Sequence, residues 1–288
     1  MAVGDSGYFA GSLEDKIAAV AITKFPTVNV ALPLVTVKNE SRADKISWSV
    51  WNAGTNAITS ASVGTHTEGS AATETKLNSD RKTATMDMYA FNVPLELEAE
   101  LSNDDSPEQQ IGGLISAGIA AKVDNLINAQ YDNFATTVGS STIAITVDNV
   151  FLALMNLRDN SAPAPYNGVL DVRQVWGTQG LMNDLVTSNQ FGGSPAAQST
   201  GLTTGFVGQV AGINLHASPE FTEGSNATKG GIFSREALGF GYVGNIANVR
   251  AADAAAAAEL KTNFIGWVFM GVAELVDLWG VEMWTKTS

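Results

Sequence analysis

Apolar and polar positions recur with clear periods in several stretches of the chain, and these set the expected elements. Ser12, with Asp15 three positions later, resembles a capping box in which Asp stands for the usual Glu. Leu13, Ile17 and Val20 then share a helical face, and Pro26 and Pro33 bracket an extended apolar piece from Val28 to Val37. Residues 46–51 alternate as a strand, with Ile46, Trp48 and Val50 on one side, and a return run starts at Thr83. In that run Met86, Met88 and Ala90 share a face before Phe91, Val93, Leu95 and Leu97 take over. A one-residue slip turns every later side chain to the other face, so the pattern predicts a bulge or a change of partner at Ala90–Phe91.

Between those runs, residues 53–79 are mostly Gly, Ala, Ser, Thr and Asn, with Ile58, Val63 and Leu77 the only large aliphatics. Burial within this segment cannot offset the entropy of ordering it. Two readings stay open: a floppy loop, or a long hairpin ordered by another subunit.

The strongest period follows. Ser106-Pro107-Glu108-Gln109 supplies an N-cap, proline at the first helical position and a capping-box glutamine. Ile111, Leu114, Ile115, Ile119, Val123, Leu126, Ile127, Tyr131 and Phe134 then step by three and four along one face. Gly112, Gly113 and Gly118 oppose the helix at about 1 kcal/mol each relative to Ala, but the periodicity outweighs them. A helix over 106–137, of about 30 residues, would run on the order of 45 Å.

Strands and helices mix from Ile143 onward. A short strand leads to a helix capped near Asp148 and carrying Val150, Phe151, Leu154 and Leu157, which Pro163 and Pro165 end. Val169 to Trp176 reads as a buried strand, and Thr178 as the cap of a helix holding Leu181, Met182 and Leu185. After a small-residue loop at 192–205, Val207 to Leu215 and Gly230 to Phe233 read as strands. An Ala-rich stretch at 251–258 precedes two closing strands, Phe264 to Met270 and Leu278 to Trp284. With no internal repeat and no clean linker, the fold class is α+β.

Composition narrows the chemistry. The 288 residues contain no cysteine, which excludes disulfides, thiolate metal sites and cysteine nucleophiles. The two histidines, His66 and His216, stand too far apart for an HExxH motif. Lys and Arg number 16 against 29 Asp and Glu, a formal charge of −13 that disfavours nucleic-acid phosphates and anionic lipid. Charged residues make up only 16% of the chain, against about 25% in an average soluble protein, and the mean hydropathy is slightly positive. That fits either an ordinary low-charge soluble protein or extensive self-association, since interface cores are depleted of charge. The N-terminus lacks a basic region followed by an apolar stretch, so no secretory signal is expected. Glu274, Asp277 and Glu282 interrupt the apolar run Phe264 to Trp284 and exclude a helical membrane span there.

Motif matches are weak. Gly239-Phe240-Gly241-Tyr242-Val243-Gly244 fits GxGxxG, but no amphipathic helix follows to hold a pyrophosphate, and a glycine-rich turn between strands is expected instead. Gly4-Asp5-Ser6-Gly7 resembles a protease nucleophile motif without a scaffold or an oriented base. Glu96, Glu98 and Glu100, with Asp104 and Asp105 nearby, read as a solvated strand face rather than a cation or acid–base site. Asn226-Ala227-Thr228 is a glycosylation sequon that needs secretion to matter. No catalytic, cofactor or metal-binding set emerges.

The order of parts carries more. A polar-rich hairpin at 46–92, a long capped helix, a mixed α/β region, then Gly230-Gly231-Ile232-Phe233-Ser234-Arg235-Glu236-Ala237-Leu238-Gly239 and a closing Gly280-Val281-Glu282-Met283-Trp284 follow one another. This order resembles the major capsid proteins of tailed bacteriophages, the HK97 fold. The resemblance implies an N-terminal arm at 1–45 and an E-loop at 46–92. It implies a peripheral domain at 93–144 and 245–276, built on the long helix, and an axial domain at 145–244 and 277–288. It further implies a non-enzymatic shell subunit of the virion, assembled in the host cytoplasm as hexamers and pentamers around double-stranded DNA. Scaffolding, portal and decoration proteins are the expected partners, with weak, non-specific DNA contact and no membrane or cofactor. No long cleavable segment precedes the arm, so scaffolding is expected from a separate protein, and no Lys–Asn crosslink pair can be assigned. Candidate inter-subunit contacts are Trp48, Trp51, Asp80, Arg81 and Lys82 on the hairpin, with Glu96 and Glu98 as acceptors on a neighbour. The alternatives are an encapsulin-like nanocompartment, which shares the fold, and a nucleotide-dependent monomeric enzyme using the Gly239–Gly244 segment.

Overall fold

The computed structural model of the chain describes residues 15–25, 29–51, 78–96, 107–187, 206–221, 227–252 and 261–287, with single positions 53, 68 and 76. A helix at 15–25 (α1) leads through a short 3-10 turn, Leu32–Leu34, to strand β1 (Thr36–Glu40). Strands β2 (Lys45–Trp51) and β3 (Ser79–Thr85) form a two-stranded antiparallel hairpin, and β4 (Asp87–Glu96) continues from it. The long helix α2 (Pro107–Asn128) follows. Next come β5 (Thr137–Ala144), α3 (Val147–Asp159), β6 (Tyr166–Asp171), α4 (Val172–Trp176) and α5 (Leu181–Thr187). The last strands are β7 (Phe206–Val210), β8 (Ile213–Ser218), β9 (Ala227–Ser234), β10 (Leu238–Ala252), β11 (Lys261–Glu274) and β12 (Gly280–Lys286).

Two larger sheets result. The first has the order β1-β10-β11-β4, with β1 parallel to β10 and the other pairs antiparallel. The second has the order β5-β12-β9-β6-β8-β7. Thr137–Ala144 joins the six-stranded sheet, and Leu238–Val243 belongs to the four-stranded one.

The apolar stripe of α2 buries Ile111, Ile115, Ile119, Val123 and Ile127 against the four-stranded sheet. It then continues through a 3-10 turn, Ala129–Asn133, to buried Tyr131 and Phe134. The α-helix is therefore 22 residues long rather than about 30, because the stripe's period persists while the last turn tightens. Leu114 departs from the stripe and is exposed. The glycines that oppose helix propensity sit where neighbours come closest. A methyl at Gly112 would stand 2.9 Å from Val20 Cβ of α1, and one at Gly118 would stand 3.1 Å from the Phe91 ring.

The second sheet packs one face on α3, α4 and α5 through Val150, Leu157, Val175, Leu181, Leu215 and Met283. Its Val169 and Phe233 point the other way, into the core around Tyr131. A third, smaller cluster joins the hairpin to the first sheet through Ile46, Trp48, Ala84, Met86, Ala273 and Leu275.

Five local expectations are corrected. The change of partner falls at Met86, not at Ala90–Phe91: β3 pairs with β2 up to Thr85, and β4 pairs with β11 from Asp87. Met86, between the two strands, is buried while Met88 on β4 is 66% exposed, so the three residues read as one face do not share one. Residues 172–176 are helical rather than extended because Asp171 and Gln174 make a reciprocal capping box. Val207 to Leu215 is two strands, turned at Ala211 and Gly212, both with positive φ (54° and 87°). The helix expected to be capped near Asp148 is capped by Thr146 with Asn149, and its Phe151 faces outward. Finally, Gly239–Gly244 is no turn between strands: it lies inside β10, and of its glycines only Gly244 (φ 75°) has a positive φ, beside the β10–β11 register shift.

Candidate functional site

The hairpin is the element whose chemistry looks outward. Strand alternation puts Ile46, Trp48 and Val50 on one face with their partners Ala84, Lys82 and Asp80. Near the first sheet that face is covered, and Ile46 and Trp48 are buried. The other face carries Ser47, Ser49 and Trp51 with Thr83, Arg81 and Ser79. Trp51 is 59% exposed there, and Arg81 is its diagonal cross-strand neighbour. Arg81 donates from Nη2 to Ser47 Oγ at 2.9 Å, which holds the guanidinium along the strand. Lys82 pairs with Asp80 at 3.0 Å and also neighbours Glu274 at the sheet rim. Burial raises the Glu274 carboxyl above its ordinary value, as does Asp277, while Lys82 pulls it down.

The candidate contact residues thus divide. Trp51, Asp80, Arg81 and Lys82 lie on the hairpin strands, whereas Trp48 packs inside the chain's own third cluster. Glu96 ends β4 opposite Lys261, and Glu98 falls outside the described residues. Glu100, Asp104, Asp105, His66, the 4–7 motif and the 192–205 loop fall outside them as well. His216 sits on β8, where burial lowers its pKa. Among the described residues no three His, Asp or Glu side chains form a metal-holding group, and no helix is long and apolar enough to cross a membrane.

A second outward surface lies over the six-stranded sheet. On α3, Phe151, Leu152 and Met155 are 42%, 43% and 52% exposed and share one stripe by their spacing of three and four. On α4, Val172 and Trp176 are also exposed, four residues apart. Outer helix faces ordinarily carry polar groups, so this concentration of apolar side chains marks a surface suited to a partner.

Two polar clusters tie distant segments of the chain together. Asp124, an acid on the buried side of α2, accepts the backbone N–H groups of Val30 at 3.0 Å and Ala31 at 2.8 Å and so pins the arm. Beside it, Asn29 Nδ2 donates to the Ala120 carbonyl at 3.2 Å. At the far end of α2, Lys229 of β9 bridges Asp132 and Glu282, the latter at 2.8 Å, and lies over the Trp284 ring. Glu282 also accepts from Thr137 Oγ1 at 2.7 Å. Partial burial opposes the charge on Lys229, but the two carboxylates outweigh it and raise its pKa.

Periodicity alone does not flag these groups. A lone Asp on an otherwise apolar helical stripe was the available signal for Asp124, and the Asp171-to-Gln174 spacing was the signal for the cap.

No family model and no curated protein matches the sequence. Solved structures do match in fold. The capsid of the cyanophage P-SCSP1u superposes with a TM-score of 0.61 at 16% identity, covering 88% of this chain and 87% of that one. The head structure of Helicobacter pylori bacteriophage KHP40 gives 0.62 at 12% identity, covering 91% of each chain. The SrpI encapsulin complex of Synechococcus elongatus PCC 7942 gives 0.61 at 13% identity, covering 88% and 85%. At such identities the likeness speaks for architecture, and it spans nearly the whole of both chains: this protein has the HK97-like fold of phage capsid and encapsulin shells.

Proposed function

We propose that this chain is the major capsid protein of a tailed bacteriophage. It would assemble as hexamers and pentamers into an icosahedral head around double-stranded DNA. The observation that carries the reading is the match in fold to several phage capsids over nearly the whole chain. The role is structural. Quasi-equivalent contacts of one chain, not a reacting site, do the work. In this reading a neighbouring subunit orders the polar segment at 53–79, and the exposed apolar side chains of α3 and α4 lie in contacts between subunits. A net charge of −13 lets an inner wall enclose DNA with little counterion-release binding. In this reading residues 1–45 are the arm, 46–92 the E-loop, 93–144 and 245–276 the peripheral domain, and 145–244 and 277–288 the axial domain. Trp51, Asp80, Arg81 and Lys82 are the proposed hairpin contacts, with Glu96 and Glu98 as acceptors on a neighbour. Scaffolding, portal and decoration proteins complete the set of partners.

The encapsulin match supports a second reading, a shell around protein cargo. Purified particles analysed for nuclease-protected DNA and for co-purifying protein separate the two. Deleting residues 53–79 is expected to leave a folded subunit that assembles poorly; shells at wild-type yield from that deletion would overturn the hairpin's assembly role.

A further inference from the structure

The Gly239-Phe240-Gly241 segment, which resembles part of a nucleotide-binding motif, has a different use in this fold. On β10, Phe240 points into the core beneath α2, so Gly239 and Gly241 face the opposite side of the sheet. The β10–β11 register sets Gly241 across from Gly271 and Gly239 across from Ala273. Four minimal side chains therefore make a flat floor on the face that the hairpin covers.

The hairpin's largest apolar groups fill that floor. A methyl on Gly239 would stand 2.9 Å from the Trp48 ring and 3.0 Å from Leu275. One on Gly241 would stand 3.0 Å from Ile46, and one on Gly271 would meet the Thr85 carbonyl oxygen first and then Met86 at 2.7 Å. Glycine inside a strand weakens it unless another group must come close, and here three glycines are met by three large side chains. Trp48 is buried although its indole N–H has no acceptor among the described residues, so shape rather than hydrogen bonding holds it.

We infer that Gly239, Gly241 and Gly271 form a socket for Ile46, Trp48 and Met86 that fixes the angle at which the hairpin leaves the sheet. Trp48 is the positioning residue, and through the hairpin's reach to a neighbour the socket sets the curvature of the shell. The curvature role rests on the proposed capsid function; the angle itself does not.

The test separates the two. The chain has no cysteine, so Asp80→Cys with Asn92→Cys gives two unique spin-label sites, one on the hairpin and one on the sheet. Pulsed dipolar spectroscopy of the labelled chain is expected to give one narrow distance. Gly239→Ala is expected to shift or broaden it, and Trp48→Phe in the same chain to restore it, since the smaller ring makes room for the methyl. In unlabelled protein, Gly239→Ala is expected to stay folded but to lose closed shells of wild-type diameter, and the double variant to regain them. An unchanged distance in Gly239→Ala, or one that Trp48→Phe leaves displaced, overturns the socket. A changed distance with wild-type shells overturns the curvature role. A wild-type chain that forms no shells, alone and after co-expression with its neighbouring genes, removes the capsid reading and the curvature role together, while the distance measurement still decides the socket.

Discussion

Asp124 Oδ1 accepts the Ala31 backbone N–H at 2.8 Å, joining the C-terminal part of the long helix to a segment more than ninety residues earlier. Its carboxyl pKa is pushed up from 3.8 to about 6, chiefly by burial. The Val30 and Ala31 N–H groups and Asn29 pull it down, and Glu220 adds to the rise. A carboxyl whose folded pKa lies above its unfolded one binds more protons when folded. Its contribution to stability is present below about pH 4 and is lost as pH rises through about 6. The loss is at most about 3 kcal/mol. Melting temperatures of the unassembled chain between pH 4 and 7 should fall with rising pH relative to Asp124→Asn; parallel profiles for the two proteins would contradict this.

Lys229 faces a carboxylate, Glu282, whose side chain is only 5% exposed. Removing the cation leaves a buried charge supported by Thr137. Lys229→Met should cost about 1–3 kcal/mol, below the range for a fully buried pair because solvent reaches the lysine. Glu282→Gln in the same chain should recover part of it, and chemical denaturation of the four proteins measures the coupling.

Gln174 is buried and donates through Nε2 to the Thr228 and Met283 carbonyls and to Thr285 Oγ1, while accepting from the Asp171 N–H. Gln174→Leu keeps the bulk and orphans those partners. A loss of about 2–4 kcal/mol is expected on unfolding by denaturant.

Met155 on the outer stripe of α3 is exposed. Met155→Glu should leave the melting temperature within about a degree or two, as surface changes do. If copies of this chain cover that stripe, as the proposed assembly requires, the same change should sharply reduce particle yield in sedimentation. Unchanged yield would take this face out of the contact.

How much of this was legible in the sequence depended on whether the signal was local. The α2 stripe, the Ile46–Trp48–Val50 alternation and the order of parts were readable because each rests on period or sequence order. The hinge at Met86 was not, because both flanking runs alternate and only the pairing partners change. The helix at Val172 was masked by β-branched Val169 and Val175, and the two-residue cap outweighed them. The burial of Trp48 and the meaning of Gly239 depend on a contact between segments almost two hundred residues apart, and no local pattern encodes it.

The central claim is that this 30.1 kDa chain exists to form a shell. Light scattering of the purified protein, with negative-stain microscopy of the same fraction, tests it most directly. Closed megadalton particles, or isolated rings of five and six subunits, are the predicted result. A monomer that persists at high concentration, alone and after co-expression with its neighbouring genes, would contradict it.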